Sequence, residues 1–382
     1  MTFKRDYRYF DFILAFFVLA LLLFGIMMVG SAEHIETRGT TGLFKMHIIW
    51  AATGFCIMMA VAFIDFEFVC RFYIAFFALN ILLLIAVLLL GTETNNTTRW
   101  LYLSNIGIKG IEFGIQPSEF TKIFMIVYLA KLIDRFKDRI NHPLYLGLCI
   151  LVGAIPVLLI MLQPSLSAAI AVGVIVVVML FTAKVSWKLI TVVLVLLVPF
   201  LLLVVYDLNN DPQIFLHKIM NANQQHRIRV FIDPTVDPDR WYQSQQSIEA
   251  IRSGQLTGRG LFNNIVTVPY STNDFIFAII GAEFGFAGCI AVLSAILVVV
   301  LRCFMIAHRS EVFLGKLIAS GVGGMIAFQT ILNVSVATGT LPNTGITLPF
   351  ISSGGSSIWI MTASVGLVLS VGMTRPKSMF ED

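Results

Sequence analysis

Charged side chains are scarce in this chain: they make up 13% of its 382 residues, whereas 58% are hydrophobic. The mean hydropathy is +0.88. Because soluble domains carry about a quarter charged residues, this scarcity excludes an ordinary soluble domain. It predicts an all-α integral membrane protein, with residues 1–382 forming a single polytopic domain. The net charge of +4 is too small to indicate a nucleic-acid partner.

Cysteine and histidine patterns of disulfide or zinc sites are also missing. The 5 cysteines have no paired spacing, and the 6 histidines form neither HExxH nor a histidine triad. These absences argue against a disulfide framework and against a zinc hydrolase. The glycine-rich segment 253–260 lacks the GK[ST] ending of a P-loop, so it does not predict an ATP site.

Long apolar runs occur along the whole chain. Since about 20 apolar residues cross a bilayer, the runs predict ten transmembrane helices. They lie near residues 12–30, 47–64, 72–91, 118–133, 145–162, 166–183, 187–206, 275–300, 314–337 and 354–373.

The distribution of basic residues predicts the orientation of these spans. With a cytoplasmic N-terminus, the cytoplasmic side holds Lys4, Arg5, Arg8, Arg71, Lys131, Arg135, Lys137, Arg139, Lys184, Lys188, Arg302, Arg309, Lys316, Arg375 and Lys377. The opposite short loops hold only Arg38, Lys45, Arg99 and Lys109. By the positive-inside rule both termini are expected inside. A large loop, residues 207–273, and a Pro/Gly/Ser loop, residues 338–353, are then extracellular.

The large loop contains a helical pattern. Trp241, Gln245 and Ile248 recur at helical spacing, which predicts a short amphipathic helix on the membrane surface, with a solvated connector as the alternative. The glycine-rich segment follows, flanked by Arg252 and Arg259. It could wrap a phosphate with backbone N–H groups, or it could be a structural turn.

The Pro/Gly/Ser loop interrupts two apolar runs with residues that cannot continue a helix at low cost. Backbone freed at this depth needs partners, so the loop must fold against protein or line a wet cavity. Its candidate cavity residues, with those at the start of the last span, are Asn343, Thr344, Ser352, Gly354, Gly355 and Ser356.

Two further elements carry polar groups into apolar spans. Glu119 and Lys122 share one helix face and can pair, either as a cavity wall or as a structural ion pair. The segment from Gln163 to Ser167 joins two spans, and turn chemistry alone explains it.

Asp274 lies where the large loop re-enters the apolar region. It could cap the next helix, or it could act as a general base if burial offsets the influence of the helix dipole on its pKa. Glu283 is a second ionisable residue further along the same span.

Together these residues resemble the SEDS family, the group containing RodA, FtsW and SpoVE. The matching elements are Arg99-Trp100, Gln116 to Glu119 with Lys122, Gln163-Pro164, Arg227 with Phe231 to Pro234, Tyr242-Gln243 with Gln246-Ser247, Ser253 to Leu261, Asp274 to Ala278, Gln329 with Asn333, and the Pro/Gly/Ser loop into Ser357. They cover almost the entire length.

The resemblance implies a peptidoglycan glycosyltransferase that polymerises lipid II on the outer face of the bacterial cytoplasmic membrane. In the family, the acid matching Asp274 is taken as catalytic, and lipid pyrophosphate is the leaving group. Arg227, Arg252 and Arg259 are candidates to hold it, with a divalent cation (Mg²⁺ or Mn²⁺) as a possible aid. Trp100, Gln246 and Ser247 are candidate cavity residues.

The implied partners are a class B penicillin-binding protein, which is a transpeptidase, and other elongation or sporulation wall-synthesis proteins. Asn343-Thr344 replaces the lysine that division-type members tend to carry, so the chain looks more like RodA or SpoVE than FtsW. It also departs from the family at Ser165 and Ala282, where acids are usual. A lipid II flippase or ion-coupled transporter, and a non-enzymatic scaffold, are the competing classes.

Overall fold

A computed structural model describes residues 3–37, 42–94, 97–102, 114–186, 191, 222–263 and 265–376. Most of these residues are helical, as the sequence predicts. The helices are α1 (Phe12–Thr37), α2 (Gly42–Ala62), α3 (Phe66–Arg71), α4 (Tyr73–Leu90), α5 (Pro117–Arg135), α6 (Pro143–Leu162), α7 (Leu166–Thr182), α8 (Ala222–Ile232), α9 (Pro238–Gly254), α10 (Ile276–Arg309), α11 (Phe313–Ala337) and α12 (Gly355–Gly372). The short strands are β1 (Phe3–Arg5), β2 (Thr92–Thr94), β3 (Thr97–Tyr102), β4 (Gly114–Ile115) and β5 (Thr374–Pro376).

Seven of the described helices are long and apolar enough to cross a membrane: α1, α2, α4, α6, α10, α11 and α12. The predicted spans 118–133 and 166–183 coincide with α5 and α7. Helix α5 carries several charged residues, and α7 has only 17 residues. Apart from residue 191, the predicted span 187–206 lies outside the described residues, as do residues 207–221 of the large loop and Arg38, Lys109, Lys188 and Lys377. The count of ten spans therefore stays a prediction.

The helices alternate in direction, so their connections gather at two ends of the bundle. One end, called the site end here, holds the antiparallel sheet β2-β3-β4, the starts of α5, α7, α10 and α12, and the ends of α4, α6 and α11. At the opposite end β1 pairs antiparallel with β5, and Arg5 donates to the carbonyl of Phe63 at 2.6 Å. Residues 3–5 and 374–376 thus lie together, away from the site end.

Helices α11 and α12 form the centre of the bundle. Their apolar windows are 72% and 83% buried, whereas those of the other five candidate spans are 17–39% buried. Small residues allow this packing: a Cβ added at Gly366 of α12 would lie 2.6 Å from the carbonyl oxygen of Met58 in α2. Such close backbone approach is typical of helices that pack within membranes.

Helix α10 is interrupted at Gly285, whose φ of 63° and ψ of −162° are not helical. The glycine-rich turn fills this break: Arg259 N donates to Ala282 O at 3.0 Å, and Gly260 N donates to Glu283 O at 2.9 Å. Gly258 N donates to Gly254 O at 2.8 Å. Since these three N–H groups already have partners, the segment is a structural turn. It is not the phosphate cradle that its composition could have indicated.

The predicted helix in the large loop is present as α9. Its buried face is formed by Ser247, Ala250 and Gly254, which pack on α10 and α11, whereas Gln245 and Arg252 are exposed. The Ser247 hydroxyl donates to Ala337 O at 2.7 Å. Helix α9 is therefore held against the bundle, and Ile248 of the predicted face lies there too, since a Cβ added at Gly339 would be 2.5 Å from its Cδ1.

Candidate active site

A cavity of about 660 Å³ opens at the site end of the bundle. Its lining comes from β3, from the α6–α7 turn, and from helices α8 and α9. The segment before α10 and the segment after α11 complete it. Its polar lining includes Arg99, Ser167, Arg227, Asp274 and Thr344. The site is thus assembled from residues that are far apart in sequence.

Asp274 lies two residues before α10 and is half-buried in the cavity wall. The N-cap of α10 is Phe275, with no side-chain capping bond. The carboxyl group of Asp274 therefore does not cap the helix, which removes the structural alternative that the sequence left open. Its carboxylate faces Gly345, where an added Cβ would lie 3.5 Å from Asp274 Oδ2.

Two arginines flank this acid, and each is anchored by a main-chain carbonyl. Arg99 Nη2 donates to Pro164 O, and Arg227 Nη1 donates to Asn343 O at 3.2 Å. Arg99 Nε is buried and has no hydrogen-bond partner among the described residues. Anchored in this way, the planar guanidinium groups are held at the cavity wall before any ligand arrives.

The charges of these three groups act on one another. Burial raises the pKa of Asp274 above its ordinary value, while Arg227 and Arg99 act in the opposite direction. Burial and the nearby Arg227 lower the pKa of Arg99 to about 10, and Asp274 partly offsets this. At neutral pH Arg99 stays protonated. The cavity therefore holds a carboxyl group of raised proton affinity beside two cations.

The Pro/Gly/Ser loop covers one side of Asp274. Its Ser352 hydroxyl donates to Asn273 O at 2.6 Å, and Ser353 N donates to Thr272 O at 2.9 Å. Thr344 lies in the cavity wall, and its hydroxyl oxygen is buried without a hydrogen-bond partner among the described residues. The loop folds against protein and lines a cavity, which are the two roles that its composition predicted.

Of the residues predicted for the site, the structure brings Asp274, Arg227, Asn343 and Thr344 to the cavity lining. It places several others elsewhere. Arg252 is exposed on α9, and Arg259 Nε donates to Ser253 O at 3.0 Å beside the break in α10. Both arginines were expected near the pyrophosphate, but Arg252 lies on the exposed face of α9, and the turn that carries Arg259 packs against α10.

The remaining predicted residues lie outside the cavity lining. Glu119 and Lys122 pair at 2.7 Å in the buried face of α5, which matches the structural ion pair. Five others are not among the residues that line the cavity. Gly355 lies against Trp50, and Trp100 lies against Gly114. Ser356 Oγ accepts a hydrogen bond from Gln116 N, while the hydroxyls of Ser352 and Ser247 donate to the carbonyls of Asn273 and Ala337. Gln246 and Gly354 are half-buried outside the described lining as well.

Sequence reasoning missed three parts of the cavity. In the sequence, Arg99 was assigned only as a basic residue of a short outer loop and as part of the Arg99-Trp100 match to the family. The α6–α7 turn was explained by turn chemistry, yet Pro164 O binds Arg99, and Ser167 Oγ donates to Thr344 O at 2.8 Å. Tyr270 also lines the cavity. The available signal was the position of Arg99, a lone arginine in a short loop on the same side as Asp274.

Fold and site together define a polytopic membrane protein with an acid and two arginines in a cavity at one end of its helices. Such a cavity suits a ligand that is anchored in the membrane and carries an anionic head group. Among the described residues, no group of three or more His, Cys, Asp or Glu side chains could hold a metal ion by itself.

Comparison with known proteins identifies the family. A profile of the FtsW/RodA/SpoVE family, described as "Cell cycle protein", matches residues 12–377. The chain belongs to this family, which confirms the resemblance seen in the sequence.

Similar relatives include two proteins named "Probable peptidoglycan glycosyltransferase FtsW". The one from Trichlorobacter lovleyi is 30% identical, over 95% of this chain and 93% of the relative. The one from Shewanella sediminis is 32% identical, over 97% and 89%. Because these relatives carry the FtsW name, they do not support the predicted closeness to RodA or SpoVE.

Two solved structures share the fold along nearly the whole chain. One belongs to work described as "Structural coordination of polymerization and crosslinking by a peptidoglycan synthase complex", with a TM-score of 0.77 and 27% identity over 95% of this chain and 97% of that one. The other is the rod shape determining protein RodA of Thermus thermophilus, with a TM-score of 0.69 and 25% identity over 95% and 96%.

Proposed function

We propose that this chain is a peptidoglycan glycosyltransferase that polymerises lipid II into glycan strands. The observation that carries the proposal is Asp274, a partly buried acid that lines a cavity at the site end of the bundle together with Arg99 and Arg227. The names of the relatives support the same activity.

In the proposed reaction Asp274 is the general base. Its ionised carboxylate accepts the proton of the 4-hydroxyl of the acceptor sugar as that oxygen bonds to the anomeric carbon of the donor. The bond from the anomeric carbon to the lipid diphosphate breaks, and the electron pair leaves with the diphosphate. A raised pKa improves the carboxylate as a proton acceptor, provided that it stays ionised at the working pH.

Arg99 and Arg227 are assigned to the diphosphate, whose negative charge grows as the bond breaks. Each guanidinium is anchored by one main-chain carbonyl, and the buried Arg99 Nε has no hydrogen-bond partner among the described residues, so that this N–H is placed to donate to a phosphate oxygen. A divalent cation such as Mg²⁺ or Mn²⁺ is commonly held by one carboxylate together with substrate phosphates, a role for which Asp274 is a candidate. A cation held there would neutralise the carboxylate that has to accept the proton. For this reason the two arginines carry the diphosphate charge in our proposal.

The site end faces outward in this proposal, and both termini are cytoplasmic. The basic residues collected at the other end of the bundle support this orientation. The proposed partner is a class B penicillin-binding protein, which would crosslink the strands made here. One similar structure comes from work on a complex that couples polymerization with crosslinking. Other elongation or sporulation wall-synthesis proteins are proposed partners as well.

The test is polymerisation of fluorescent lipid II by the purified protein, with and without its penicillin-binding partner. Asp274→Asn should abolish the glycan ladder while the protein stays folded. Asp239→Asn is a matched control, because Asp239 is an exposed acid in the first turn of α9. It should polymerise as wild type does.

Two other outcomes would overturn the proposal. Transbilayer movement of lipid II without any polymer would identify a flippase. Neither activity in the presence of the correct partner would identify a scaffold. A wild-type ladder from Asp274→Asn would remove the general-base role.

A further inference from the structure

Asn333 joins the two segments that meet at the acid. It lies on α11 and is fully buried. Its Nδ2 donates to Asp274 O at 2.8 Å and to Ile346 O at 2.8 Å. Only the NH₂ end of an amide can bridge two carbonyl oxygens, and both of its protons are used here. One side chain thereby ties the backbone of Asp274 to the Pro/Gly/Ser loop.

The loop residue next to this bridge faces the carboxylate. Gly345 precedes Ile346 and has a φ of +72°. A Cβ added at Gly345 would lie 3.5 Å from Asp274 Oδ2 and 3.9 Å from Arg99 Nη1. The bridge therefore fixes the strip of loop that closes one side of the acid.

Ser352 supplies a second tie between the same two segments. Its hydroxyl donates to Asn273 O at 2.6 Å and accepts from Leu348 N at 2.8 Å. Ser352 was expected to contact substrate, but both of these hydrogen bonds join its hydroxyl to main-chain groups. The two ties join neighbouring residues, Asn273 and Asp274, to two points of the loop, Ser352 and Ile346.

We propose that Asn333 is a positioning residue for the reaction: it holds the Pro/Gly/Ser loop against Asp274 and keeps water from that side of the carboxylate. This role rests on the proposed function of Asp274 as the base. Asn333 itself lies outside the described lining of the cavity and acts through Asp274. It affects the chemical step, therefore, more than the binding of lipid II.

The dependence of the rate on pH separates positioning from general structural support. Burial raises the pKa of Asp274, and the charged groups that face it are Arg99 from β3 and Arg227 from α8. Both arginines remain when Asn333 is replaced. If the loop loosens and water enters, the pKa of Asp274 falls, and the carboxylate stays ionised to lower pH. The acidic limb of the rate profile should then move to lower pH.

The experiment compares Asn333→Ala with Thr330→Val in the lipid II polymerisation assay. Thr330 is a matched control, because it is buried on the same helix and its hydroxyl donates to Ile326 O of its own helix at 2.8 Å. For Asn333→Ala we expect kcat to fall about tenfold or more, since small misplacements of reacting groups cost that much. We expect KM for lipid II to change less than about twofold and the acidic limb to shift downward. Thr330→Val should leave kcat, KM and the limb unchanged.

Ser352→Ala is the second variant, and it removes the other tie. It should shift the acidic limb in the same direction, which keeps the test valid if Asn333→Ala does not fold. A wild-type kcat in both variants, or a lower kcat with an unmoved limb, would overturn the positioning role. If Asp274→Asn is inactive while Asn333→Ala is fully active, only the role of Asn333 fails. If Asp274→Asn is active, the proposed function fails first.

Discussion

Replacing Arg99 by methionine tests the electrostatics of the cavity most directly. Methionine keeps an unbranched stem but removes the charge and the N–H groups. Arg99 Nη2 is anchored on Pro164 O, and its buried Nε has no partner among the described residues. A hydrogen bond from a charged donor contributes about 1.5–3 kcal/mol. If Arg99 gives one such bond to the leaving diphosphate, kcat/KM should fall roughly 10- to 150-fold.

The same substitution should move the pH profile in a defined direction. Arg99 lowers the pKa of Asp274, so its removal raises that pKa further. When the solution is acidified, a base with a higher pKa becomes protonated at a higher pH, and it can then no longer accept the proton of the sugar hydroxyl. The acidic limb of the rate should therefore shift upward in Arg99→Met, the opposite of the shift expected for Asn333→Ala. The measurement is the initial rate of glycan formation from lipid II across pH.

Arg259→Met is the matched control for this prediction. Arg259 is exposed, and its Nε bonds to Ser253 O at the break in α10. It should retain wild-type kcat/KM and an unmoved acidic limb. A wild-type kcat/KM in Arg99→Met, or an equal loss in both variants, would refute the assignment of Arg99 to the diphosphate. Folding of each variant is checked by thermal unfolding in detergent.

Two further predictions concern the loop and the buried ion pair. Gly345→Val should lower the polymerisation rate at least tenfold with little change in KM, because φ is +72° there and the new side chain would crowd Asp274 Oδ2; a wild-type rate would contradict the placement of the loop. Glu119→Gln should destabilise the fold by about 3–5 kcal/mol, because it leaves the charge of Lys122 buried without its carboxylate. Adding Lys122→Met should recover most of that loss in thermal unfolding, and failure to recover it would exclude a purely structural pair.

The sequence predicts the membrane fold well because apolar runs and helix-breaking residues are local signals. The spans assigned to α1, α2, α4, α6, α10, α11 and α12 all have helices near the predicted positions. The break at Gly285 was not predicted, since its φ of 63° depends on the glycine-rich turn that packs into it. In the sequence, a glycine-rich segment flanked by Arg252 and Arg259 indicates an anion site, whereas in the structure two of its N–H groups bond to α10.

The site was only partly predictable for a similar reason. Asp274 stands out as an acid at a membrane boundary, but nothing local shows that its side chain leaves the helix uncapped. Arg99 and Arg227 are more than 100 residues apart, with Asp274 further along, and only the packed bundle brings them together. Ser352 looks like a ligand for substrate in the sequence, whereas its partners are main-chain atoms of residues 273 and 348.

The burial of α11 and α12 has a consequence for how the protein responds to its membrane. These two helices meet little lipid, and they carry Asn333 and both ends of the Pro/Gly/Ser loop. A thinner or thicker bilayer produces hydrophobic mismatch first at peripheral helices such as α4, which can tilt to accommodate it. We expect the geometry around Asp274 to be insulated from bilayer thickness. The same site could then work unchanged while a cell remodels its acyl chains with growth temperature.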